Sequence, residues 1–117
     1  ATRSVAGFVG HANLWDATVL DARTLRTPIG LLAADAAGFA PGSAVAALVR
    51  PERVRPGPAP DGVNHFAGRV ARDRFLGSFR RLDLAVTGGT VVLETASDTM
   101  PEAVHIPQEA VQVLPAD

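Results

Sequence analysis

Hydrophobic and polar residues alternate in short runs along most of this chain, and Gly or Pro interrupts the runs roughly every eight to twelve residues. Side chains at every second position line one face of an extended strand. The runs therefore predict strands over residues 14–20, 29–33, 44–50, 63–75, 79–87, 90–95, 103–106 and 111–114. Residues 4–9 have the look of a short helical turn or of the frayed end of something upstream. Short strands at this spacing predict an all-β sandwich or barrel.

The sharpest local signal is Thr87-Gly88-Gly89-Thr90. Glycine accepts the positive φ angles of a tight hairpin, so Gly88-Gly89 is expected to be the two-residue loop. That loop pairs Val86 with Val91 and Leu84 with Leu93, and puts Leu82, Leu84, Val86, Val91 and Leu93 on one buried face. The same register sets Asp83 opposite Glu94. Like charges directly opposite repel, so an arginine from the neighbouring strand, Arg69 or Arg72, is expected between them.

The Pro/Gly-rich stretch 55–62 divides the chain into halves, about 11–55 and 63–117, that resemble each other. Asn13-x-Trp15-x-Ala17-x-Val19 reads like Asn64-x-Phe66-x-Gly68-x-Val70. Ala44-Val45 followed by Glu52-x-Val54 reads like Ala103-Val104 followed by Glu109-x-Val111. One small β unit used twice is expected to share a single core, because a half this short is marginal alone.

Composition agrees with one small globular body: 117 residues, 47% hydrophobic, net charge −1. All 11 basic residues are Arg and there is no Cys. Disulfides and Cys-based zinc sites are thus excluded, and no run approaches the roughly 18 apolar residues of a membrane-crossing helix. Without any Lys the residues cannot carry a P-loop, whose Lys reaches the terminal phosphates. HExxH, GxSxG and GxGxxG are absent as well. His11, His65 and His105 lie far apart in sequence and lack metal-ligand spacing, so solvent-facing histidines are expected and no metal site is assigned. Arg69, Arg72, Arg74, Arg80 and Arg81 could form a nucleic-acid patch, but Asp73 and Asp83 interrupt them and stacking aromatics are few. A solvated strand face with local ion pairs is expected instead. Trp15 and Phe66, at matching places in the repeat, are expected in the core.

Leu48-Val49-Arg50-Pro51-Glu52-Arg53-Val54-Arg55 resembles the Arg-Pro-Glu signature of the transport-associated OB (TOBE) domain. That domain forms the C-terminal part of the ATPase subunits of maltose-, polyamine- and ferric-iron-type ABC importers. Residues 5–15, VAGFVGHANLW, look like the junction where such ATPase domains end. Arg74-Phe75-Leu76-Gly77-Ser78 is similar to the family's aromatic-Leu-Gly turn, and residues 41–45, PGSAV, to its Pro-Gly turn before the Arg-Pro-Glu strand.

The resemblance implies an OB-like β-barrel over residues 11–117, with residues 1–10 as linker or the end of an upstream ATPase domain. It implies a regulatory, dimer-supporting role with no catalysis of its own. The parent subunit would be a cytoplasmic transport ATPase, peripheral to the inner membrane, carrying ATP and Mg elsewhere. Expected partners are a second copy, the parent ATPase domain and the membrane permeases, with no nucleic acid. The family-motif residues Arg50, Pro51, Glu52 and Gly77 are expected to be structural, with Pro51 ending a strand and Arg50 and Glu52 tying the strand end down by a salt bridge or backbone hydrogen bonds. The alternative reading is a free-standing oxyanion binder of the molybdate-binding type, which also uses duplicated OB-like units.

Overall fold

A computed structural model of the protein describes residues 12–116. Ten strands follow in order: β1 Asn13–Asp21, β2 Thr24–Thr27, β3 Gly30–Ala33, β4 Ala44–Val49, β5 Arg55–Pro56, β6 His65–Phe75, β7 Arg80–Val86, β8 Gly89–Thr95, β9 Ala103–His105 and β10 Gln112–Pro115. Two 3₁₀ turns, Pro51–Arg53 and Gln108–Ala110, interrupt them. The short strands β2 and β5 are missed by the sequence reading, β5 because two residues cannot display a period. The strand containing Leu48 stops at Val49, because Pro51 opens a 3₁₀ turn. The helical turn expected at residues 4–9, and His11, lie outside the described residues.

The strands form two five-stranded antiparallel sheets, β10-β4-β1-β2-β3 and β5-β9-β6-β7-β8. They are copies of one another. Asn13 faces Val49 as Asn64 bonds to Ile106, and Trp15 faces Ala47 as Phe66 faces Val104. Even the irregularities repeat, with a register shift between Val19 and Asp21 in one copy and between Val70 and Arg72 in the other. This alignment puts Ala103 on Ala46, two residues away from the match suggested by the Ala-Val pairs. The copies exchange their last strands. β5, from the first half, pairs with β9; β10, from the second, pairs with β4. All-β and OB-like, the fold is thus two similar units, each completed by the other.

Two buried asparagines tie the two copies together. Asn13 donates from Nδ2 to the Val92 carbonyl at 2.8 Å and to the Val49 carbonyl at 3.2 Å, while its Oδ1 accepts from the Val92 N–H at 2.7 Å. Asn64 repeats this on the other side: Nδ2 donates to Ala33 and Ile106 carbonyls, each at 3.0 Å, and Oδ1 accepts from the Ala33 N–H at 2.7 Å. Each side chain so behaves as one extra peptide group on the outer edge of the opposite copy's last hairpin strand. A primary amide has both a donor and an acceptor and can do this. Asn64 sits at φ 51, a left-handed conformation that Asn tolerates better than most residues.

The core lies between the sheets. Trp15, Val19, Leu25, Leu32, Val45 and Val49 of one copy meet Phe66, Leu82, Leu84, Val91, Leu93, Val104 and Ile106 of the other. Trp15 and Phe66 are both buried, as their places in the repeat predict.

The β7–β8 hairpin corrects the sequence reading by one residue. Val86 pairs with Gly89 and Leu84 with Val91, so the loop is Thr87-Gly88 and not Gly88-Gly89. Because the pairing slips by two along the partner strand, the buried face is unchanged. Gly88 alone carries the positive φ, +89, and a Cβ there would sit 1.9 Å from the Pro28 carbonyl oxygen. Pro28 belongs to the β2–β3 turn, the same turn of the other copy, so the two turns abut where the copies meet. Asp83 therefore faces Val92 while Glu94 faces Arg81. The expected repulsion never arises, and the compensating arginines are Arg74 and Arg81, not Arg69 or Arg72.

Replacing Asn13 by Ala strands the Val92 N–H and carbonyl together, and should cost about 2–3 kcal/mol in urea denaturation. Gly88→Val should cost more than about 3 kcal/mol through strain and collision with Pro28. Gly89→Val should be much milder, since its Cβ meets only the Ile29 Cγ2, at 3.2 Å. Equal effects at 88 and 89 would contradict the observed turn.

Candidate functional site

The Arg-Pro-Glu motif forms the 3₁₀ turn that hands β4 over to β5. Proline lacks an N–H and has its φ fixed, which suits the first position of such a turn. Pro51 is buried, and the Arg53 and Val54 N–H groups donate to the Arg50 and Pro51 carbonyls at 2.9 and 3.2 Å. The charged side chains do nothing comparable. Arg50, Glu52 and Arg53 are all exposed, and none forms an ion pair or side-chain hydrogen bond among the described residues. The expected Arg50–Glu52 tie is thus restricted to the backbone carbonyl of Arg50. The second copy shows that the turn does not need the arginines. Ala110 and Val111 donate to Pro107 and Gln108 in the same pattern, at 2.9 and 3.2 Å, with no arginine present. Pro51 and Val54 make the turn, and the charges around it are left facing solvent.

Gly77 opens the β6–β7 turn at φ +99, with Leu76 N–H donating to the Phe79 carbonyl at 2.8 Å. A positive φ at the first central position is what a type II′ hairpin needs. The turn holds Phe75 and Leu76 out into solvent, 65% and 44% exposed. Arg80 lies over the Phe75 ring, 5.7 Å from its centre, and pairs with Asp73 at 2.7 Å. On the opposite face of these strands Arg74 pairs with Asp83 at 2.6 Å and Arg81 with Glu94 at 2.5 Å. Arg74, Arg80 and Arg81 of the arginine cluster are therefore neutralised locally, as the interleaved acids predict. These two segments, far apart in sequence, are the exposed chemistry of the family motif: a charged turn and an apolar hairpin tip.

His65 is exposed and His105 half-buried, in line with the solvent-facing expectation, but the two are not isolated from each other. His65 and His105, forty positions apart in the chain, are direct cross-strand partners on β6 and β9. His105 Nδ1 lies 3.1 Å from the Gly57 carbonyl, and the Ala59 N–H approaches His65 Nδ1 at 3.4 Å. Both rings thus hold the 55–62 connection. Residue spacing cannot reveal such a pair; only the register of two strands does. Among the described residues no group of three or more His, Cys, Asp or Glu could hold a metal ion. An open concavity of about 340 Å³ beside His105 is lined by Asp61, Val63, Gln108 and Glu109 among others.

Residues 47–115 match the family described as the TOBE domain. The chain is 39% identical, over 97% of its length, to the spermidine/putrescine import ATP-binding protein PotA of Rubrobacter xylanophilus, and spans 32% of that protein. Its fold is similar to that of the cytoplasmic molybdate-binding protein ModG solved with molybdate bound, with a TM-score of 0.73 over 89% of this chain and 96% of that one, at 18% identity.

Because the motif's charges do not hold the fold, the double variant Arg50→Ala/Glu52→Ala should shift unfolding stability by less than about 0.5 kcal/mol. Pro51→Gly should cost at least about 1 kcal/mol, by loosening the unfolded chain and emptying a buried position. Paired urea titrations separate the two roles.

Proposed function

The chain belongs to the TOBE-domain family, and from that premise we propose that it is the C-terminal regulatory and dimer-supporting domain of a bacterial ABC-importer ATPase subunit, without catalysis of its own. The observation that carries this reading is the identity that runs along nearly the whole chain to an importer ATP-binding protein. The chemistry is compatible with it. With no Lys the chain has no P-loop of its own, so nucleotide hydrolysis belongs to a separate domain of the parent.

In this reading the domain works through surfaces. The solvent-facing Arg50, Glu52 and Arg53 and the apolar tip at Phe75 and Leu76 are its contacts with the parent ATPase domain, the permeases and a second copy. Each tail is a weak partner by itself, made effective because the rest of the transporter keeps two tails close together. The parent would be cytoplasmic and bound to the inner membrane through the permeases. The alternative, a free-standing oxyanion binder, is supported by the shared fold with ModG alone.

Sedimentation equilibrium of the purified domain should show a dimer that dissociates on dilution, and Phe75→Asp should weaken it at least tenfold. A strictly monomeric species up to millimolar concentration would move dimerisation elsewhere in the parent. Calorimetric titration should find no saturable ATP binding at micromolar concentrations. Saturable molybdate binding in the same instrument would favour the alternative.

A further inference from the structure

We propose that His65 and His105 form a chelating site for a borderline divalent cation such as Zn²⁺ or Ni²⁺, with water completing the coordination. Side chains of directly paired residues on antiparallel strands share one face. The Ile106 N–H donates to the Asn64 carbonyl and the Gly68 N–H to the Glu102 carbonyl. Counting along the ladder, the hydrogen-bonded pairs are Asn64 with Ile106 and Phe66 with Val104, which makes His65 and His105 a non-hydrogen-bonded pair. Such pairs are the close ones, with Cα atoms about 4.5 Å apart. Two imidazole nitrogens each about 2.0–2.1 Å from one tetrahedral ion need to be only about 3.3 Å from each other. Neighbouring rings on a close pair can reach that separation.

The ring environments suit the role. His105 directs Nδ1 at the Gly57 carbonyl, which accepts a hydrogen bond only if Nδ1 bears the proton. The lone pair is then on Nε2. A histidine that gives one N–H to a backbone carbonyl and offers the other nitrogen is the usual arrangement for a metal ligand. His65 would exchange its 3.4 Å contact from the Ala59 N–H, at the outer limit of a hydrogen bond, for the ion. Asp61 and Glu109, which line the concavity at His105, add negative charge nearby, while Arg55, paired with His105 on β5, opposes it.

The duplication supplies the control for a merely structural role. The residues of the first copy that correspond to His65 and His105 are Leu14 and Leu48, directly paired on β1 and β4. The same sheet is thus built there with two leucines. The pairing of these two strands does not require histidine, and what the rings add beyond their bonds to the 55–62 connection is a pair of nitrogen donors. An ion held between them would fasten β6 to β9 beneath the connection that carries the exchanged strand β5.

The test uses zinc chloride, nickel chloride and magnesium chloride against the purified chain, read by calorimetry and thermal unfolding. Zn²⁺ and Ni²⁺ should bind saturably at one ion per chain and raise the melting temperature by several degrees. Mg²⁺, which prefers oxygen ligands, should do neither. His65→Gln and His105→Gln, which keep hydrogen-bonding capacity but remove the imidazole, should each weaken binding at least tenfold. The double variant His65→Leu/His105→Leu copies the first half's pair, should stay folded, and should lose the response. Undiminished Zn²⁺ binding in that variant, or absence of saturable binding by the parent chain up to millimolar metal, would overturn the proposal.

Discussion

A β-sheet edge leaves N–H and carbonyl groups without strand partners, and those that are shielded from water must be satisfied without adding another strand. Here the solution is one side-chain amide per edge. Asn13 pairs with Val92 of β8 and Asn64 with Ala33 of β3, each reaching from one copy into the other. The amide can do what a following peptide would do because it carries the same two groups in one plane. Hydrophobic packing would let the sheets slide against one another, since it is non-directional. The two amides admit only one relative placement, and the abutting turns at Pro28 and Gly88 repeat that restriction from the other side.

Within this frame the exchange of β5 and β10 explains why so small a chain can be stable. Neither copy owns a full sheet, so neither can open without disturbing its neighbour. The duplication also separates what the architecture demands from what function has added. Features common to both copies, such as the asparagine, the following aromatic, the β-bulge and the 3₁₀ turn after β4 or β9, belong to the fold. Features in one copy only are not demanded by the shared architecture. They are the arginines around Pro51, the long β6–β7 hairpin with its apolar tip, and the two histidines.

Much of this was legible in the sequence. Alternation found the long strands, because side-chain direction is fixed by a period of two, and the Asn-x-aromatic repeat located the duplicated unit. The buried face of β7 and β8 was readable even with the wrong turn, since a slip of two residues leaves the face intact. What escaped was non-local. Nothing about Arg50 and Glu52 two residues apart tells that the backbone between them winds into a 3₁₀ turn and parts the side chains. Gly88 and Gly89 are alike in sequence, and only the Pro28 carbonyl, some sixty residues away, distinguishes them. The pairing of His65 with His105 likewise depends on the register of strands separated by most of a half.

The exchanged last strand also constrains how the molecule is made. On a ribosome β1 to β4 emerge well before β10, whose pairing with β4 brings Leu48 beside Gln112. Until then β4 has an open edge, and Asn13 waits for Val92. The first half of the nascent chain therefore cannot complete its sheet until β10 is available to pair with β4. During that interval the exposed strand edge is a target for chaperones and for mispairing with neighbouring nascent chains.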